Sequence, residues 1–87
     1  MFRITRNDRP EATFLKVEGR IVGDDSALLE RECRSLLAGG FPLRLDLSEV
    51  RFVDLAGVAM LRALRRDGLG IDGWTPLVRE VLDADGP

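Results

Sequence analysis

The chain has few residues that could do covalent or acid–base chemistry. Among its 87 residues there is no histidine and no tyrosine, and Cys33 is the single cysteine. Without histidine, the commonest acid–base group near neutral pH is missing. One cysteine and no histidine also rule out the usual zinc constellations. Asp46 and Asp54 are the carboxylates that invite a metal reading, but no further ligands accompany them. Asp54 is better explained as a helix cap, and Asp46, beside Arg44 on a strand, as an ion-pair or surface carboxylate. Gly68-x-Gly70-x-x-Gly73 matches the bare dinucleotide-binding pattern. That pattern works only where it joins a strand to a helix, whose N–H groups then meet the pyrophosphate. Here it follows a predicted helix and encloses a strand, so it reads as a helix stop plus turns. The only lysine, Lys16, has no glycine before it, so there is no P-loop. No catalytic residue, no metal and no cofactor are expected.

Charge points the same way. Thirteen basic residues face fifteen acidic ones, for a formal net charge of -2. The arginines are scattered among carboxylates, and a nucleic-acid binder would show a basic stripe. Arg62, Arg65 and Arg66 make one mild cluster, read as the solvated face of a helix. Composition and charge together tilt the reading away from an enzyme and from a nucleic-acid binder.

The length supports one domain, residues 1–87. No window is long and apolar enough to span a membrane, and Met1-Phe2-Arg3-Ile4-Thr5-Arg6 lacks the apolar core of a secretory signal. With a lone cysteine, the expected location is the cytoplasm.

The elements follow from periodicity and punctuation. Phe2 and Ile4 alternate with Arg3 and Thr5 as a first strand, and Asn7 to Glu11 supply turn chemistry. Ala12 to Glu18 form a second strand with Thr13, Leu15 and Val17 on one face, making an antiparallel hairpin. Asp24, Asp25 and Ser26 are candidate N-caps for a helix whose apolar face is Leu29, Cys33, Leu36 and Leu37. Glu30 and Arg34 pair on its outside. Gly39-Gly40 ends it. Pro42 to Ser48 make the clearest strand, with Leu43, Leu45 and Leu47 inward. Asp54 caps a second helix that runs to about Asp67, with Val58, Leu61 and Leu64 inward. Leu69, Ile71 and Trp74 suggest a short strand, and Thr75 with Pro76 opens a last helix striped by Leu77, Val78, Val81 and Leu82. Asp83 to Pro87 look frayed. Trp74 is either core or an exposed anchor. The order β-β-α-β-α-β-α predicts an α/β fold, a mixed sheet opened by an antiparallel hairpin.

These residues resemble a family. Leu43-Arg44-Leu45-Asp46-Leu47-Ser48, then Val50, Phe52 and Val53-Asp54-Leu55-Ala56-Gly57, then Leu61 and Gly68, look like the signature of STAS domains, the anti-sigma-factor-antagonist fold. Val17-Glu18-Gly19-Arg20-Ile21 is similar to the family's Leu-x-Gly-Arg-Leu segment. The late Gly68 to Gly73, with Val81-Leu82, agree in spacing, so the likeness covers roughly residues 12–83. It implies an STAS-like α/β domain with helices mainly on one face of the sheet. It also implies a non-enzymatic regulatory role, with an anti-sigma factor of kinase-like fold or an ABC-transporter ATPase as partner. Docking falls at the start of the second helix, on Asp54, Leu55, Ala56, Gly57, Val58, Met60 and Arg62.

Two departures stand out. The family's phosphorylated hydroxyl maps onto Ala56, and Leu55 replaces its neighbour, so neither residue can accept a phosphoryl group; Ser48 is the nearest hydroxyl in sequence. The chain also stops before the family's usual final strand and helix, a C-terminal truncation from which an uncovered edge and a homodimer are expected. Leu55 either anchors a partner or folds back onto Phe52 or its own helix.

Overall fold

In the computed structural model, which describes residues 1–73 and 75–83, the chain forms β1 (Phe2–Asp8), β2 (Thr13–Ile21), α1 (Asp24–Ala38), β3 (Leu43–Val53), α2 (Leu55–Arg66), β4 (Gly70–Asp72) and α3 (Pro76–Asp83). The sheet order is β1-β2-β3-β4, with β1 antiparallel to β2 and the other pairs parallel. Because β2, β3 and β4 lie side by side in chain order, two right-handed crossovers carry α1 and α2 to the same face. Against that face pack Leu15, Val17 and Ile21 of β2 and Leu43, Leu45 and Leu47 of β3, all buried. Leu29 and Cys33 of α1, Leu61 and Leu64 of α2, and Val78 and Leu82 of α3 close the core from above. On the opposite face Lys16 is exposed, and Arg44 and Asp46 are half-buried. No helix among the described residues is long and apolar enough to cross a membrane.

The strands run further than alternation predicts. β1 continues through Asn7 and Asp8 because they pair with Phe14 and Thr13, which confines the turn to Arg9–Ala12. β2 likewise runs on to Ile21, and β3 runs on to Val53 past two register shifts against β2. An extra residue in one strand of a pair turns the side chains beyond it to the other face. β3 therefore buries Leu47, Val50 and Val53, three residues apart, and exposes Ser48, Glu49, Arg51 and Phe52. Asp46 steadies the first shift by accepting the Ser48 N–H at 2.9 Å.

Arg44 does not pair with its strand neighbour Asp46. It reaches across the ladder to Asp72 through two bonds of 2.7 and 2.6 Å. It can do so because Gly70 stands opposite it without a side chain. On α1, Arg34 binds Glu30 at 3.2 Å as expected, and also Asp67 at the end of α2 at 2.7 Å.

The last helix differs in one respect. Thr75 Oγ1 accepts the Val78 N–H at 3.1 Å, as a cap should, and Val78 and Leu82 are buried. Leu77, however, is exposed, because the buried stripe is the narrow i, i+4 pair and Leu77 lies beside it. Trp74, the side chains of Val81 and Asp83, and residues 84–87 lie outside the described residues, while the α3 backbone runs through Asp83.

Candidate partner-docking site

The start of α2 is built by three local interactions. Asp54 adopts an extended conformation (φ -78°, ψ 175°), and its Oδ1 accepts the Gly57 N–H at 2.7 Å. That satisfies one of the donors every helix start leaves open. The Asp54 N–H donates to Ile21 O at 3.0 Å, fastening the turn to the end of β2. Gly57 then lets the first helical turn close down. A Cβ there would lie 2.7 Å from Val53 Cγ1 and 3.2 Å from Ile21 Cγ2, too close for any side chain without movement. The Asp-x-x-Gly spacing is thus a cap followed by a close approach.

The same carboxylate serves the start of α1. Its Oδ2 accepts the Gly23 N–H at 2.8 Å, and its Oδ1 lies 3.4 Å from Ser26 Oγ. These bonds, first from Gly23 and then from Gly57, hold the Asp54 carboxyl below the ordinary carboxylate range. The N-cap of α1 is Gly23 (φ 53°, ψ -124°) with no side-chain cap of its own, a correction to the Asp24, Asp25 and Ser26 candidates. Asp24 and Asp25 sit inside the first turn, where their charge suits the helix dipole, and Ser26 is buried against Asp54.

The residues assigned to docking from the sequence divide into two sets. Leu55 is 89% exposed and Ala56 is exposed, while Asp54 and Arg62 are half-buried. Leu55 therefore does not fold back onto Phe52 or its helix. Gly57, Val58 and Met60 are buried and lie beneath that exposed set. α2 is packed by α1, α3 and β3 together, so its buried arc is wide enough to include them.

Two exposed groups were missed. Ala59 continues the outward stripe from Leu55 and Ala56, as i+4 and i+3 spacing would have shown. Phe52 is 44% exposed, with the Arg20 guanidinium 5.1 Å above its ring. The register shift in β3 hid it from an alternating pattern.

The other candidate sites resolve into structure. Gly68 follows α2, Gly70 lies in β4 and Gly73 follows it, so the glycines bracket a strand rather than join a strand to a helix. Among the described residues, no three His, Cys, Asp or Glu side chains gather to hold a metal.

This architecture, a sheet opened by an antiparallel hairpin and an Asp-capped helix after its central strand, defines an STAS-type α/β domain. A family model described as "Mlab, STAS domain" matches residues 4–86, and the chain belongs to that family. Among solved structures, it is similar to an anti-sigma factor antagonist from Mycobacterium paratuberculosis. Identity is 24% over 100% of this chain and 84% of that one, at a TM-score of 0.79. It is also similar to the anti-sigma factor antagonist SpoIIAA in its unphosphorylated form. There identity is 16%, with the same two coverages, 100% and 84%, and a TM-score of 0.73. At these identities the likeness is one of fold. No curated protein matches the chain.

Proposed function

We propose that this chain is a non-enzymatic regulatory domain that docks a protein partner through the exposed start of α2. The partner class is an anti-sigma factor, and the serine phospho-switch is absent. The observation that carries the reading is Leu55, a large apolar side chain 89% exposed on a turn held by Asp54 and Gly57. Such a residue gains nothing in water, whereas covering it contributes roughly 1.5–3 kcal/mol. Ala56, Ala59 and Phe52 extend the apolar surface around it.

Phosphorylation at a helix start adds nearly two negative charges and three acceptor oxygens. Beside Asp54 that charge would repel an apposed surface and release it. By the resemblance, Ala56 stands at the family's acceptor position and has no hydroxyl, so regulation in this reading comes from the partner's state or from protein abundance. The alternative partner class is a transporter ATPase, of which this chain would be a regulatory subunit.

Affinity capture followed by mass spectrometry identifies the partner and separates these two classes. Ala56→Asp and Leu55→Ser are each expected to weaken its binding at least tenfold, about 1.4 kcal/mol, with Tm unchanged within a few degrees. Undiminished binding by both variants would place the docking surface elsewhere.

A further inference from the structure

The outward face of α2 does not end at the Leu55 turn. Residues at i, i+4, i+7 and i+11 share one side of a helix. On α2 these are Leu55, Ala59, Arg62 and Arg66, with the buried Leu61 and Leu64 on the other side. The stripe is apolar over its first half and cationic over its second. At about 1.5 Å per residue, Arg62 and Arg66 stand roughly 10 and 16 Å along the axis from Leu55. Arg62, Arg65 and Arg66 line one shallow depression of about 310 Å³ between α2 and α3, together with Leu82. Arginines at a helix C-terminus complement its dipole, which accounts for Arg65 and Arg66 in the last turn. It does not account for Arg62, which lies a turn earlier and is half-buried in the same depression.

Three guanidiniums gathered in one place, in a chain of net charge -2, set the chemistry of what covers them. Among the described side chains, the carboxylates that neighbour the depression along α2 and α3 are directed elsewhere. Asp67 accepts from Arg34 of α1 at 2.7 Å, and Glu80 stands on the side of α3 opposite Leu82. Arginine forks bind carboxylates bidentately and are enriched where proteins meet. Nucleic acid needs a track of phosphate contacts rather than a single cluster. The Leu55 turn is also too small alone, since a stable interface covers roughly 800 Å² per partner. Continuing along α2 adds the arginine depression on the same rigid element. We infer that the docking face runs the length of α2. The partner meets Leu55 with an apolar contact and covers Arg62, Arg65 and Arg66 with a cluster of its own aspartates and glutamates. The inference rests on Leu55 docking a protein as proposed above.

Capped hexaglutamate is the first probe, titrated into the protein and followed by NMR of the backbone amides and arginine Nε–H groups. Saturable binding is expected, with shifts confined to Arg62–Arg66 and Leu82, and it should weaken as salt is added. Hexalysine should not bind. Arg66→Glu should weaken hexaglutamate binding at least fivefold, Arg66→Lys should retain most of it, and Leu55→Ser should bind like the parent protein. The second probe is the protein captured through the α2 site. Arg66→Glu should weaken its binding at least tenfold with Tm unchanged within a few degrees. If Leu55→Ser and Ala56→Asp lose the captured protein but Arg66→Glu keeps it, the α2 site stands and its extension is overturned. If all three keep it, the α2 site itself falls and takes the extension with it. No saturable peptide binding, shifts away from the depression, or tighter binding of hexathymidylate than of hexaglutamate would also overturn the inference. So would an at least tenfold gain in peptide affinity on Asp83→Asn combined with Asp85→Asn, which would show the chain's own carboxylates filling the site.

Discussion

The starts of α1 and α2 make an instructive pair. Both helices begin just past the end of a parallel strand, and Ile21 and Val53, the last residues of those strands, are register partners. α2 has an N-cap of its own, Asp54, whereas α1 begins at a glycine with no side-chain cap, although Asp24, Asp25 and Ser26 follow immediately. The difference arises because adjacent crossovers place both openings within reach of one carboxylate. Asp54 takes the Gly57 N–H with one oxygen and the Gly23 N–H with the other. An aspartate in the first turn of α1 would cap only that helix, while Asp54 ties the two helix starts together across 31 positions of sequence.

Crowding the α2 start should have the largest effect. Gly57→Val places its Cβ 2.7 Å from Val53 Cγ1 before the added methyls are counted. Overpacking of this kind costs about 1–3 kcal/mol, so Tm should fall by roughly 10 °C or more in a thermal melt. Asp54→Ala removes the shared acceptor without crowding and should lower Tm by roughly 5–10 °C. Its signature is that hydrogen exchange accelerates at Gly23 and Gly57 together; acceleration at Gly57 alone would show that the two starts are independent.

pH sharpens the same comparison. The Asp54 carboxyl titrates below its ordinary value in the folded protein. Its stabilising contribution is therefore complete above about pH 4–5, where the unfolded carboxyl is also ionised, and fades as pH falls through the lowered value. The Tm gap between parent protein and Asp54→Ala should be full at neutral pH and narrow toward about pH 3. Ser26→Ala, which touches only the α1 side through a 3.4 Å contact, should shift Tm least, by about 2 °C or less.

The order of elements was legible because apolar spacing and punctuation agreed along the chain. Asp54, Thr75, Glu30–Arg34 and the inward leucines other than Leu77 behave as their positions imply. The second half of β3 was not legible, since a register shift is set by the partner strand and leaves no local mark on Glu49 to Val53. Nor was the capping of α1, because the capping atom lies in another element. At the proposed docking site, the sequence left Leu55 open between a partner anchor and a fold-back, and its exposure in the structure decides against the fold-back. Burial of Val58 and Met60 could not be separated from partner contact, since both uses call for the same apolar residue types.

Cys33 has a practical consequence. Its thiol has no exposed surface, and burial, with a smaller contribution from the Glu32 carboxylate, pushes its pKa up to about 12. The thiolate is the reactive form, so the native cysteine is chemically silent toward alkylating dyes at neutral pH. A cysteine introduced at Leu55 would carry a fluorophore or nitroxide alone, reporting from the proposed docking face while the native sulfur goes on filling the core.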